Sequence, residues 1–439
     1  MRRLPPRILY PILAAACCVL LLLGFLWWEL SGTRSELSQQ LQNALQHDPS
    51  GSQTGTTLPV SDLTVTTGDE ALLHLRTGDL LALQGEWNDA IIEYQKAVDA
   101  GGNLTALRKL EQAQLQIRDI PAARATLEKL RRAGARSEDL LLIESLILLR
   151  SGDLVKASQL LQSATSSPQQ HYGLALLSIM QGSDEEAKKQ LQQVIEGWEP
   201  VLRTYARTLQ AAFDEYALFP VSPPAHLQTL MAHALAQVQE CELALPLLSR
   251  VTHAQSDYRD AWIIQGYCEL TTNRPREAQA SFERAPAPAP AQPEIQYFLG
   301  RSYAALDDNQ NAMTFLKYAI QNHFEPQSDA RRLLAKVALK VNDAVTAMEQ
   351  EQTLTTLPDA NLDTYREFIS FALQLGKKQE AYLKAVEATQ KWPDDARSFE
   401  VLGDTAVAAD QKEEAKKAYQ TALQKNPNMT NVQEKLKKL

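Results

Sequence analysis

Side chains able to do chemistry are sparse in this sequence. Among its 439 residues are four cysteines and seven histidines. Cys17 and Cys18 sit inside an apolar run, which leaves too few thiols for a four-thiolate zinc site or a disulfide-dense scaffold. His226 and His233, seven residues apart, fall on one face of a helix, but no cysteine or carboxylate cluster accompanies them, so no metal site is expected there. The sequence has no phosphate-cradling glycine loop, no dinucleotide-binding glycine pattern, no nucleophile elbow and no His-Glu-x-x-His, the spacings that place donors and nucleophiles. Its 53 acidic residues form no paired constellation and read as solvated outer faces. No catalytic residue, cofactor or metal is therefore expected, and the chain reads as something other than an enzyme.

Charge narrows the classes further. Lys and Arg number 44, so the net charge is −9, and no long basic block offsets it. Nucleic acid is thus not an expected partner, because phosphate binding needs cations to replace its counterions. Leu (66) and Ala (58) fill over a quarter of the chain, a bias toward helix. With 44% apolar and 22% charged residues the chain is too oily for wholesale disorder.

From Ile8 to Trp28 no residue is charged and nearly all are apolar, enough to cross a hydrocarbon core of about 30 Å at ~1.5 Å per residue. Arg2, Arg3 and Arg7 precede the run, and Glu29, Arg34 and Glu36 follow it. The cationic flank should stay in the cytoplasm, leaving the rest outside a cell membrane. A cleaved signal peptide would end in small residues, whereas this run ends in Trp27-Trp28-Glu29. A lipidated Cys17 is disfavoured because apolarity continues to Trp28. The expectation is a single-pass anchor within residues 1–30. Leu37, Leu41 and Leu45 then suggest a short helical continuation, and His47 to Gly68 reads as a tether, giving a juxtamembrane segment and linker over 31–69.

Beyond residue 70 the chain repeats. Alanines recur at Ala244, Ala278, Ala312, Ala347, Ala381 and Ala415, about 34 residues apart. Twelve residues before them stand Ala232, Gly266, Gly300, Ala335, Ile369 and Gly403, mostly small. A weaker series, Ala90, Ala123, Ala157 and Ala187, precedes these. Each unit reads as two apolar-striped helices with small residues at their crossing, where backbones approach closely. Some 23 extra residues separate the two series, and Leu202, Tyr205, Leu209, Ala212, Phe213 and Tyr216 lie there at helical spacing between Pro200 and Pro220. They predict an extra helix that either caps the first block or serves as a hinge or docking ridge. Ala285 to Pro293 alternates alanine and proline and reads as a stiff connector that keeps the register.

The pattern resembles the tetratricopeptide repeat, a 34-residue helix-turn-helix unit. Phe399, Leu402, Gly403, Ala415, Tyr419, Ala422 and Pro427 occupy that family's consensus positions, and Trp262, Gly266, Ala278, Phe282 and Ala285 match almost as well. Gly300, Tyr303, Ala312 and Ala319 follow suit, as do Gly78, Tyr94 and Ala97. Glu111 and Ile369 depart at the small position, where looser or rotated packing is expected. The resemblance implies an all-α fold, an α-solenoid of about ten units in two blocks after a transmembrane helix: a first block over 70–200, a connecting helix over 201–224, a second block over 225–429, and a capping helix over 430–439.

The same resemblance implies a function in binding. By similarity to the family, the second, fifth, ninth, twelfth and thirteenth residues of each first helix line a concave groove. These include Asp260, Ile263, Tyr267, Glu294, Tyr297, Arg301, Arg332, Lys336, Lys340, Asp363 and Arg366. Arg301, Arg332, Lys336, Lys340 and Arg366 then form a cationic patch flanked by Tyr267 and Tyr297, suited to an acidic peptide or a terminal carboxylate. The Lys/Asn clamp of chaperone-binding members is not reproduced. In the repeat frame Cys241 opens one unit's second helix and Cys268 ends the next unit's first helix, so the two are either a disulfide or two separately buried thiols. The arrangement resembles bacterial envelope proteins in which an anchor precedes such repeats, and the expected role is a membrane-anchored adaptor for peptide segments or components of envelope complexes, with self-association left open. Alternatives are a non-catalytic subunit or maturation factor that presents substrates to a separate enzyme, and a cytoplasm-facing adaptor.

Overall fold

The computed structural model describes residues 69–83, 85–219, 221–285, 292–427 and 429–439. The expected anchor at 8–28, the continuation and tether that follow it, and most of the Ala/Pro connector lie outside the described residues. Among those described there is no strand, and no helix is long and apolar enough to cross a membrane.

Twenty-two helices are described. Eight make four antiparallel pairs: α1 (Glu70–Leu83) with α2 (Trp87–Asp99), α3 (Leu104–Gln116) with α4 (Ile120–Arg132), α5 (Ser137–Arg150) with α6 (Leu154–Ser163), and α7 (Pro168–Gln181) with α8 (Asp184–Glu196). A long single helix, α9 (Pro200–Ala217), comes next. Six more pairs follow: α10 (Pro224–Gln237) with α11 (Cys241–Ala254), α12 (Arg259–Thr271) with α13 (Pro275–Arg284), α14 (Pro293–Ala305) with α15 (Asn309–Gln321), α16 (Gln327–Lys340) with α17 (Ala344–Leu354), α18 (Leu362–Gln374) with α19 (Lys378–Lys391), and α20 (Ala396–Ala408) with α21 (Lys412–Lys425). Helix α22 (Thr430–Lys437) packs on α21 and buries Val432.

Several helices start where a side chain satisfies one of their free N–H groups. Asp119, Asp153, Asp308 and Asp343 each accept a backbone hydrogen bond at the start of a second helix, and Asn103, Ser167, Asn361 and Asp395 do so at first helices. All ten register alanines, Ala90 through Ala415, have 0% exposure. In the four repeats with glycine at the small position, the residue four positions beyond the alanine lies over that glycine. A Cβ added to Gly266 would stand 2.7 Å from the Phe282 ring, and one on Gly403 would stand 2.3 Å from the Tyr419 ring. Where the small position is filled otherwise, packing stays closed: Ile369 is buried and Glu111 is fully buried. The backbones of α3–α4 and α18–α19 nevertheless approach each other over less of their length than in the glycine-bearing pairs, the looser crossing expected there, and the misfit at Glu111 takes the form of a carboxyl group with no hydrogen-bond partner.

The turn inside every pair passes through one left-handed residue: Gly85, Arg118, Gly152, Gly182, Gln239, Asn273, Asp307, Asn342, Gly376 and Asp410. Glycine, asparagine and aspartate tolerate that conformation, whereas longer side chains are strained by roughly 1–3 kcal/mol. Arg118 and Gln239 are the two exceptions, and they meet in space. The Arg118 guanidinium donates to the Gln239 carbonyl at 2.8 Å and pairs with Glu242. Alongside, Arg150 at the end of α5 donates two hydrogen bonds, 2.8 and 2.9 Å long, to Glu240, both side chains being over nine-tenths buried.

These contacts join the second and third repeats to the fifth, past the fourth and α9. Leu202, Leu209 and Phe213 of α9 fill the same apolar cluster that runs from α5 to α12, so the interrupting helix is built into the core. Replacing Arg150 by Met strands the Glu240 carboxylate in that core and is expected to lower stability by about 3–5 kcal/mol. Adding Glu240→Leu should recover most of the loss. Urea-unfolding midpoints of the three proteins check this, and equal midpoints for Arg150→Met and wild type would refute it.

Candidate docking surfaces

First helices of successive repeats are tied by ion pairs roughly one repeat apart: Arg108 to Asp139 at 2.7 Å, Arg332 to Glu367 at 2.8 Å, Arg397 to Asp363 at 3.6 Å and, through α22, Lys435 to Glu400 at 2.8 Å. Lys340 reaches back to Asp307 at 3.0 Å in the preceding repeat's turn. Partly exposed pairs of this kind contribute at most about 1 kcal/mol each, but they fix which charges stay available.

Of the five cations expected to form the patch, Arg332, Lys340 and Arg366 are thus engaged, Arg366 with Asp363 at 3.2 Å. Arg301 and Lys336 have no carboxylate within 4.0 Å among the described residues. The Arg301 guanidinium instead lies over the rings of Tyr297 and Phe298, 5.7 Å from each centroid. Tyr297 is turned into the core, stacked on Phe324 at 4.1 Å. Tyr267 is half-buried and meets Phe298 edge-on. Lys336 is exposed one helix away. The structure therefore gives an aromatic-backed arginine on α14 and, on α16, a lysine flanked by Arg332 and Lys340, which are already paired.

Sequence reading missed the carboxyl beneath this face. Glu351 on α17 is buried, and one of its oxygens lacks a hydrogen-bond partner. Burial, aided by the neighbouring charge of Glu367, pushes its carboxyl up to about 7, with Arg332 and Lys336 opposing. It occupies the position four residues beyond Ala347, where other repeats carry apolar residues, and that break in the pattern was the available signal.

A cleft of about 960 Å³ lies elsewhere, at the edge of the first block. Helix α6 stops at Ser163, a turn earlier than most second helices, and the missing turn opens a space between the start of α5 and the α8–α9 corner. Leu141, Leu142 and Leu160 line it, Arg108, Arg131 and Arg136 surround it, and Trp198 is 74% exposed there. Asp139 and Glu144 already pair with these arginines.

Chemistry is thin on both surfaces. Among the described residues no group of three His, Cys, Asp or Glu could hold a metal ion. Nδ1 of His226 meets the Tyr258 hydroxyl at 3.1 Å, and no shared site with His233 forms. Cys241 and Cys268 are both buried and carry free thiols.

A tetratricopeptide-repeat family model matches residues 112–171, 229–293 and 269–330. The chain carries tetratricopeptide repeats. Solved structures similar to this repeat array include YrrB, described as a TPR protein with an unusual peptide-binding site (18% identity, 44% of this chain and 98% of that one, TM-score 0.35). PilW, a type IV pilus biogenesis factor, is similar at 15% identity over 49% of this chain and 100% of that one, with a TM-score of 0.37. Cut9–Hcn1 of the APC/C covers 84% of this chain and 76% of that one, at 15% identity and a TM-score of 0.34. No curated protein matches the chain.

The repeat frame gives Glu111 a testable signature. Its carboxyl is pushed up to about 8 by burial, so the folded state prefers the neutral acid while the unfolded chain ionises near its ordinary 4.5. Stability from this group is whole below the unfolded value and is lost as pH rises through the folded one. Relative to Glu111→Gln, the wild type is expected to lose on the order of 3 kcal/mol between about pH 5 and pH 8. Urea melts across that range check it, and a pH-independent gap would refute the assignment.

Proposed function

We propose that this tetratricopeptide-repeat protein is a membrane-anchored adaptor that holds other proteins at the outer face of a cell membrane, without chemistry of its own. The observation that carries the binding role is the α14–α16 face. Arg301, its guanidinium 5.7 Å from the centroids of two aromatic rings, and Lys336 have no carboxylate within 4.0 Å among the described residues, in a chain whose net charge is −9. Such groups favour an acidic peptide segment or a chain-terminal carboxylate, which a guanidinium grips with paired, charge-assisted hydrogen bonds. The aromatic shelf under Arg301 orients the guanidinium before binding and so reduces the ordering cost. The anchor rests on the uncharged run Ile8 to Trp28, and its direction on Arg2, Arg3 and Arg7.

Two experiments test the two halves of this reading. Cross-linking in intact cells, followed by affinity recovery, should capture a discrete set of envelope proteins with the wild type and lose them with Arg301→Glu/Lys336→Glu. Recovery of the same partners by both would remove this face from the function. A reporter active only outside the cytoplasm, fused after Leu439, should be active. Activity of a cytoplasm-only reporter at that position would reverse the orientation.

A further inference from the structure

We propose that Cys241 and Cys268 form a dithiol that closes to a disulfide, stapling the fifth repeat to the sixth at the corner that contacts the second and third. Cys241 is the first residue of α11, and Cys268 lies in the last turn of α12, the antiparallel helix packed against it. Both belong to one buried apolar cluster, with exposures of 1% and 0%. They lie at the facing ends of those two packed helices, and both thiols are free. The facing ends of two packed antiparallel helices are positions from which such a bond can be made. Neither residue takes part in the docking face.

The surroundings assign different roles to the two sulfurs. Cys241 sits at a helix N-terminus, between Glu240 and Glu242, whose partners are Arg150 and Arg118. The Cys268 side chain beside it, and then the Arg118 guanidinium, draw the Cys241 thiol below its ordinary range, whereas Cys241 and burial push Cys268 well above. Cys241, as the first residue of α11, has the helix N-terminus that favours a thiolate, and is therefore the attacking sulfur. It attacks one sulfur of an external disulfide, either glutathione disulfide or that of a disulfide oxidoreductase, and expels one thiol. Cys268 then gives up its proton and attacks Sγ of Cys241, expelling the second. Two electrons and two protons leave the chain, and the external disulfide is reduced to two thiols. Because both cysteines are buried in the closed corner, exchange takes place while the corner is open, and the finished bond is shielded from reductant.

The test uses the full-length protein in detergent, equilibrated over a series of reduced-to-oxidised glutathione ratios, quenched in acid, alkylated in denaturant and peptide-mapped. The Cys241 and Cys268 peptides are expected to disappear together in one two-electron transition and to return as a single cross-linked peptide. The oxidised protein should melt several degrees above the reduced one. In Cys241→Ser and Cys268→Ser both the transition and the rise should vanish. Recovery of the two peptides free, or separately glutathionylated, at every ratio would overturn the proposal, as would cross-links to Cys17, Cys18 or a second copy. A cross-linked form that melts no higher than the reduced one would overturn its stapling role.

Discussion

The close approach of two helix backbones within each repeat is the constraint on which the array depends. Where the first helix carries glycine, as at Gly78, Gly266, Gly300 and Gly403, the side chain opposite rests directly on its backbone: Tyr94, Phe282, Leu316 or Tyr419. The register alanine lies one turn away on the second helix and is wholly buried in every repeat. A methyl group there, and little or nothing across from it, sets the interhelical distance. The turn that joins the two helices follows from the same geometry, since each must reverse through a single left-handed residue. Caps, ion pairs and the docking face are all placed by that crossing.

The array nevertheless departs from a simple stack, in which each repeat touches only its neighbours. Helix α9 turns the later repeats so that the α10–α11 corner meets the turn of the second repeat and the end of the third. Arg118 and Gln239 occupy turn positions that elsewhere hold Gly, Asn or Asp, and both accept backbone strain there. The strain is offset by contacts that only those positions can make, Arg118 to Glu242 and to the Gln239 carbonyl. Arg150 and Glu240, out of water beside them, satisfy each other with two hydrogen bonds.

Much of the fold was legible because its main constraint is steric and periodic. Alanine at a fixed interval, with a small residue twelve positions earlier, can be read directly from a single chain. The contacts between distant repeats could not be read that way. Glu240 and Glu242 are ordinary surface residues by local pattern, and the one hint was the odd filling of two turns by Arg118 and Gln239. The docking face was legible by residue type but not by charge state. The positions of Arg332, Lys340 and Arg366 followed from the family's groove pattern, whereas Glu367 and Asp307, which neutralise two of them, lie at other positions of neighbouring repeats. Tyr297 belongs to the core because Phe324, beyond the end of α15, offers it a stacking partner, a contact that no pattern within one repeat encodes.

The corner between the fifth repeat and the second also governs the order of assembly. Arg118 and Glu242 are 124 residues apart in the chain, and closing so long a loop in an unfolded polypeptide costs about 4 kcal/mol of chain entropy before any contact rewards it. Stacking of the intervening repeats shortens that loop step by step, so local pairs form first and the corner closes last. Once closed, the second to fifth repeats can no longer unravel one at a time from an end. They form one cooperative block, while the later repeats, joined only to their neighbours, keep the graded, sequential unfolding of an open array.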